Sequence, residues 1–121
     1  MLTGFGKELR KIRLDKDELL RDMAEKLGVT VAYLSAVENG NRKIPDAWIP
    51  QIARLYHLND AEILKLQRLA YMDKDNMPIN IGGVSQGQKN LAFSFARRFQ
   101  ELSEDEVSDL QRYLDRGRSD D

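Results

Sequence analysis

The sequence predicts an all-α protein of 121 residues, and three of its features support that fold class. Apolar residues recur every three or four positions, as they do along one face of a helix. Serine, threonine or asparagine followed three residues later by glutamate or glutamine marks several helix starts. Glycine and proline fall mostly between these segments, where the chain is expected to turn. The alternating pattern of a half-buried strand is limited to a brief stretch, Ile79-Asn80-Ile81.

The composition is that of a folded globular chain, with 41% hydrophobic and 32% charged residues. No apolar run approaches the ~20 residues that span a bilayer, and the N-terminus lacks the basic and apolar regions of a signal peptide. We therefore expect a cytoplasmic protein without membrane contact. Cysteine is absent, and the single histidine, His57, has no acid–base partners in the sequence pattern. We expect no enzyme activity, no cofactor and no metal site.

Helices one and two are predicted from the same apolar spacing. The first has its apolar side at Phe5, Leu9 and Ile12, with charged residues between them. The second runs from Leu20 to Leu27. Gly28 follows it and can take the left-handed backbone conformation that ends a helix.

A third, short helix is predicted about three residues after the second. Thr30 can cap its first turn through the hydroxyl group, and Asn39-Gly40 would end it. Two short helices joined by a tight glycine-containing turn can lay the second helix into the major groove of DNA, which is about 12 Å wide. From the spacing alone, a purely structural helix pair is the alternative, because many helical bundles contain such a turn.

Helices four and five are predicted beyond Pro45. Pro45 and Asp46 suit the first turn of helix four, whereas Pro50 would cost the helix a hydrogen bond or shift its start. The fifth helix begins with the capping pair Asn59 and Glu62.

The chain after helix five is predicted to form a linker and two further helices. Residues 75–84 contain proline and paired glycine, which predicts a linker or a short extended segment. Capping pairs open helices six and seven, at Ser85 with Gln88 and at Ser103 with Glu106. Residues 85–121 would thus form a C-terminal helical hairpin.

An apolar stripe on this hairpin predicts an interface for dimerisation or partner binding, because two helices seldom bury such a stripe alone. The interface residues would be Leu91, Phe95, Phe99 and Leu102. The alternative is that the hairpin folds back onto the N-terminal region.

Three segments of the N-terminal half share the pattern of a known family. They are Phe5-Gly6-Lys7-Glu8-Leu9-Arg10-Lys11-Ile12-Arg13, Met23-Ala24-Glu25-Lys26-Leu27-Gly28-Val29-Thr30 and Leu34-Ser35-Ala36-Val37-Glu38-Asn39-Gly40-Asn41-Arg42. The region from Phe5 to Leu58 resembles the phage-repressor helix-turn-helix family of the Cro and C1, or XRE, type. This resemblance implies a five-helix, lambda-repressor-like domain over residues 1–74, with the helix-turn-helix from Leu19 to Glu38. It also implies a transcriptional regulator that binds a double-stranded DNA operator, usually as a dimer and often as a repressor.

The resemblance places the DNA contacts on helix three and the loop after it. The groove-facing residues would be Thr30, Val31, Ala32, Tyr33, Ser35 and Ala36, and those near phosphates Asn39, Asn41, Arg42 and Lys43. Arg13 and Glu38 occupy the positions of a structural ion pair in the family. Because Val31, Ala32 and Ala36 lack hydrogen-bonding groups, we expect thymine-methyl contacts and DNA shape to carry recognition.

Some positions depart from the family or allow a second interpretation. Leu19-Leu20 stands where members often have Ser-Gln, so the backbone contact of that glutamine is not predicted here. Tyr33 either contacts DNA or packs on the shoulder of its helix. Arg42 and Lys43 either bind phosphates or form a solvated charge pair.

The two halves of the chain differ in charge, and the second half suggests another class of function. Residues 1–58 hold ten Lys and Arg against eight Asp and Glu, whereas residues 59–121 hold nine against twelve. An acidic C-terminal half with an Ile79-Asn80-Ile81 linker suits docking to a peptide or protein. The alternative function is an antitoxin-type protein whose C-terminal part neutralises a toxin or regulatory protease while its N-terminal domain autoregulates transcription. The sequence leaves both functions open.

Overall fold

The computed structural model describes residues 1–72 and 74–116. These residues form helices and no strands, which confirms the predicted all-α class. The α-helices of this part are α1 (Gly4–Asp15), α2 (Leu20–Leu27), α3 (Val31–Glu38), α4 (Trp48–Leu55), α5 (Asp60–Met72), α6 (Gln86–Arg98) and α7 (Glu104–Arg116), and a 3₁₀ helix (Phe99–Glu101) follows α6. None of these helices is long and apolar enough to cross a membrane.

The chain divides into two compact units, the first from Met1 to Met77 and the second from Pro78 onward. The first unit holds α1 to α5, and the second holds α6 and α7. From Lys74 to Ser85 the chain has neither helix nor strand. The segment predicted as a linker or extended piece lies within this stretch.

The hydrophobic core of the first unit receives side chains from all five of its helices. α1 packs against α3 and α5, and α2 packs against α3 and α4. The apolar period that predicts each helix corresponds to its buried face. The buried core residues are Phe5, Leu9, Ile12, Met23, Ala24, Leu27, Leu34, Val37, Trp48, Ile52, Tyr56, Leu66 and Ala70.

Three of the predicted capping boxes are present as reciprocal hydrogen bonds. At α5, Asn59 N donates to Glu62 Oε1 and Glu62 N donates to Asn59 Oδ1, both at 2.8 Å. The same exchange opens α6 and α7, in the segments Ser85–Gln88 and Ser103–Glu106. These bonds satisfy backbone donors that have no intrahelical partner. The capping predictions are therefore confirmed.

Helix α4 has the shifted start that was one of the two predicted effects of Pro50. Pro45 and Asp46 precede the helix, which starts at Trp48, and Trp48 N donates to Pro45 O at 3.0 Å. This start places Pro50 in the first turn. Backbone N–H groups there have no intrahelical acceptor, so the missing donor of proline removes no helical hydrogen bond.

Both helices predicted for the C-terminal region are present as α6 and α7. Within the described residues they make no contact with each other. Phe99 lies in the 3₁₀ helix and Leu102 directly after it, so the predicted interface residues extend beyond the end of α6. No described residue from Pro78 onward is buried. The apolar period defines which face of each helix is apolar but not which surface covers it.

A polar cluster joins the loop before α2 to the end of α4. The Tyr56 hydroxyl donates to Glu18 Oε1 at 2.6 Å, and Lys26 forms an ion pair with the same carboxylate. The Lys26 ammonium also lies 4.8 Å from the centre of the Tyr56 ring. Burial and the Glu18 hydrogen bond raise the pKa of Tyr56. Burial alone would raise the pKa of Glu18, but hydrogen bonds from Lys26 and Tyr56 lower it. Because α2 packs against α3, this cluster also helps to hold α3 in position.

Candidate nucleic-acid interface

Helices α2 and α3 form the predicted two-helix unit, joined by three residues. α2 ends at Gly28, which has a left-handed backbone with φ 73° and ψ 30°. Val29 N donates back to Ala24 O at 3.0 Å. Thr30 then caps α3, its Oγ1 accepting from Tyr33 N at 3.0 Å. Each of these features matches the sequence prediction for the turn.

The end of α3 is joined to α1 by a buried ion pair. Arg13 is 6% exposed and Glu38 is 3% exposed. Nη1 of Arg13 donates to Glu38 Oε2, and Nη2 donates to Oε1 at 3.2 Å. Nη1 also lies 3.4 Å from Met23 Sδ. Two parallel hydrogen bonds fix both the distance and the direction of the contact, so α3 has a defined orientation relative to α1.

Two residues that the sequence interpretation missed complete the contact between α1 and α3. Thr3 caps α1, and its N and Oγ1 donate to Glu38 O at 2.9 and 3.2 Å. Gly6 lies against the same carbonyl, and a Cβ at this position would be 2.2 Å from Glu38 O. The close approach of the two helices therefore requires glycine at position 6. The available signals were a threonine before the first helix and a glycine in its first turn.

The outer surface of α3 carries small or uncharged side chains. Val31 is 44% exposed, and Ala32 is also exposed. Tyr33, Ser35 and Ala36 are half-buried. We call these five residues the α3 outer face. It offers methyl groups, one hydroxyl and one phenol to a ligand, and no charge.

Tyr33 connects the α3 outer face with the core. Its ring meets that of Trp48 edge to face, with the centroids 5.9 Å apart and 84° between the planes. The guanidinium carbon of Arg42 lies 5.7 Å from the Tyr33 centroid. Tyr33 therefore packs against Trp48, as one of its two sequence interpretations predicted. Its ring also contacts the exposed Arg42 side chain beside α3.

The loop after α3 folds back on that helix. Gly40 has a left-handed φ of 79°. Asn41 N and Arg42 N both donate to Ala36 O, at 2.8 and 3.2 Å. These bonds place the exposed side chains of Asn41, Arg42 and Lys43 beside the C-terminal end of α3.

The Asn39 side chain forms a hydrogen bond within the protein. Its side-chain amide donates to Ser35 O at 2.8 Å, which satisfies a carbonyl at the end of α3. At the start of α2, Leu19 is 56% exposed and contributes no side-chain cap, and Asp22 accepts from Leu19 N at 2.7 Å. The first unit thus presents an uncharged helix face flanked by a polar and basic loop.

Among residues 1–72 and 74–116, no group of three His, Asp or Glu side chains forms an arrangement that could hold a metal ion. A family model described as a helix-turn-helix domain matches residues 5–66, slightly more than half of the chain. The match extends from α1 into α5 and includes the ion pair, the α3 outer face and the loop after it. No curated protein and no solved structure matches the chain.

Proposed function

Since the chain belongs to the helix-turn-helix domain family, which matches residues 5–66, we propose that it is a transcriptional regulator that binds an operator in double-stranded DNA. The observation that supports this function best is that α3 is fixed on its inner side and accessible on its outer side. Its inner side is anchored by the Arg13–Glu38 pair, while its outer face is accessible beside Arg42. Major-groove recognition by this motif needs a short helix held rigidly with its outer side free.

In the proposed complex, phosphate contacts and base contacts come from different residues. Arg42, Lys43 and Asn41 bind phosphates and position the domain without selecting a sequence. Val31 and Ala32 contact thymine methyl groups in the major groove, where an uncharged face has few other means of discrimination. Affinity and sequence preference should therefore respond to different substitutions.

Titrations of DNA duplexes at several salt concentrations test this division. The specific duplex is the footprinted segment upstream of the chain's own gene, and a scrambled duplex is its control. Arg42→Ala should weaken both duplexes about equally and reduce the salt slope by roughly one. Ala32→Glu should abolish the preference for the specific duplex, because it places a negative charge against the bases.

Arg68→Ala is the matched control, because it removes one exposed positive charge from α5 and not from the proposed interface. It should leave both affinities and the salt slope unchanged. An Arg42→Ala protein that loses only specific binding, with an unchanged slope, would show that Arg42 reads a base and that the register is wrong.

We propose in addition that the regulator binds as a homodimer and represses transcription. The exposed apolar side chains of α6 and α7 support association of the second unit. Two half-sites should then lie ~34 Å apart or a multiple of that distance. Light scattering should show a dimer for the full chain and a monomer for a chain ending at Lys74. Expression of a reporter gene behind the operator should fall when the full chain is present.

The same exposed apolar side chains favour a second candidate function, the antitoxin type, in which a toxin or regulatory protease covers them. This function predicts a full chain that is monomeric in light scattering and becomes dimeric or heteromeric only with its partner. A toxin-like or protease-like reading frame beside the gene would supply that partner for a direct binding measurement.

A further inference from the structure

The two helices of the second unit carry opposite net charges. α6 contains Lys89, Arg97 and Arg98 and no acidic residue, so its net charge is +3. α7 contains five acidic residues against Arg112 and Arg116, so its net charge is −3. Helices with opposite charges attract each other and are suited to pair side by side.

Each helix also presents an apolar face that no other α-helix of the described chain covers. On α6 this face holds Leu91, 69% exposed, and Phe95, 38% exposed. On α7 it holds Val107, Leu110 and Leu114, which are 42%, 42% and 71% exposed. The spacing of three and four residues places the members of each set on one side of their helix. Both helices begin with a capping box, and the apolar faces of both are exposed in the described residues.

Charge also selects the relative direction of the two helices. Arg97 and Arg98 lie at the C-terminal end of α6, and the acidic first turn of α7 lies at its N-terminal end. An antiparallel pair brings these two oppositely charged ends together. A parallel pair would instead set the two arginines of α6 beside Arg116, which repels them.

We propose that the second unit forms an exchanged dimer, in which α6 of each copy packs antiparallel against α7 of the other copy. A two-fold axis makes the contact reciprocal, so both apolar faces of both chains become buried. The occupant is a second copy because α6 and α7 of one chain are complementary in charge and apolar surface yet do not contact each other. The proposal rests on the homodimer proposed above and specifies its surface.

Cysteine cross-linking tests the exchange directly, since the chain has no cysteine of its own. An antiparallel alignment of Phe95 with Leu110 brings Ser94 and Tyr113 close together on the same edge of the interface. Full-length chains carrying Ser94→Cys are mixed with chains carrying Tyr113→Cys, allowed to exchange subunits and oxidised. A disulfide-linked heterodimer should predominate. Ser108→Cys, on the opposite side of α7, replaces Tyr113→Cys as the control and should link weakly.

Light scattering of the full chain separates failure of the exchange from failure of the dimer. A dimer that yields no heterodimer linked through positions 94 and 113 would overturn the exchange and leave the proposed homodimer standing. A monomer would overturn both. A chain carrying both cysteines that closes its disulfide internally and forms no linked dimer would show an intrachain hairpin and also overturn the exchange. Operator binding is measured in a separate experiment, because the proposed DNA contacts lie in the first unit and do not depend on the exchange.

Charge reversal provides a second readout without cysteine. Arg97→Glu with Arg98→Glu makes α6 acidic in one variant, and Glu104→Lys with Asp105→Lys makes α7 basic in another. Each variant alone should dimerise roughly tenfold more weakly, and their mixture should recover the affinity as a heterodimer. A mixture no tighter than its components would overturn the proposed charge pairing.

Discussion

The two units of this chain share the same local signals for helix formation but differ in packing. α5 in the first unit and α6 and α7 in the second all begin with reciprocal capping bonds. The first unit nevertheless buries a core shared by five helices, whereas no described residue of the second unit is buried. Two helices cannot enclose a core as five can. The comparison shows that capping and apolar period form helices, while burial depends on how many apolar faces can meet.

This difference predicts where substitutions act. Changes in the first unit should alter its free energy of unfolding, because its side chains exchange water for other side chains. Changes in the second unit should alter local helix content and association instead. The first three of the following predictions compare residues of the first unit with exposed counterparts, and the fourth removes the second unit.

The largest effect is expected at the buried pair of the first unit. Arg13→Met or Glu38→Leu alone should lower the free energy of unfolding by about 3–5 kcal/mol, because each leaves a buried charge unpaired. The double variant should be close to wild type. Urea unfolding of the wild type, the two single variants and the double variant gives the coupling free energy between Arg13 and Glu38. Simple additivity of the two single effects would contradict the buried pair. The exposed pair Arg112–Asp109 of α7 is the counterpart, and its removal should change the free energy by less than about 1 kcal/mol.

Truncation of one core leucine should have the next largest effect. Leu66 of α5 is fully buried, so Leu66→Ala should lower the free energy of unfolding by about 2–5 kcal/mol. Leu64 on the same helix is 54% exposed, and Leu64→Ala should cost about 0.5 kcal/mol or less. Leu91→Ala in α6 should leave the unfolding of the first unit unchanged and weaken association. Equal effects of Leu66→Ala and Leu64→Ala in urea unfolding would contradict the assigned core.

Helix caps should have a smaller effect that differs between the units. Thr30→Ala removes the cap of α3 and should lower the free energy of unfolding of the first unit by about 1 kcal/mol. Ser103→Ala removes the equivalent cap of α7. It should reduce helix content in circular dichroism and leave the urea transition of the first unit where it is. A shift of that transition by Ser103→Ala would show that α7 is coupled to the core.

The smallest effect is expected from removal of the whole second unit. A chain ending at Met77 should unfold with a free energy within about 0.5 kcal/mol of that of the first unit in the full chain, the size of an ordinary surface effect. Both proteins are compared in the same urea series at a concentration where the full chain is monomeric. A loss well above 1 kcal/mol would mean that the second unit stabilises the first.

Local signals were sufficient wherever a short-range hydrogen bond decides the structure. Thr30 caps α3, Gly28 takes the left-handed conformation, and the Asn59–Glu62 box opens α5, all as predicted. In each case both partners lie within five residues of each other, so their chemistry and spacing contain the answer. The start of α4 could not be fixed from local signals alone, because Pro50 is compatible with several positions in the first turn of a helix.

Several properties of the candidate site could not be read from spacing. The approach of Gly6 to Glu38 O joins residues 32 positions apart, and the Tyr33–Trp48 contact joins two different helices. Asn39 was expected near phosphates, yet its amide binds the Ser35 carbonyl of its own helix. Side-chain direction at such positions depends on which neighbours the folded chain supplies.

The sequence by itself thus determined the helices of the described chain, their caps and turns, the apolar face of each helix and the opposite charges of α6 and α7. Those properties depend on residues a few positions apart, which interact in the same way in any fold. Only the tertiary structure decided that α1 touches α3 at Gly6, that Arg42 rests on Tyr33, and that α6 and α7 of one chain stay apart. Those outcomes depend on contacts between residues that are distant in the sequence. Many apolar faces could cover one another, and the apolar period of each helix does not specify which pair will meet.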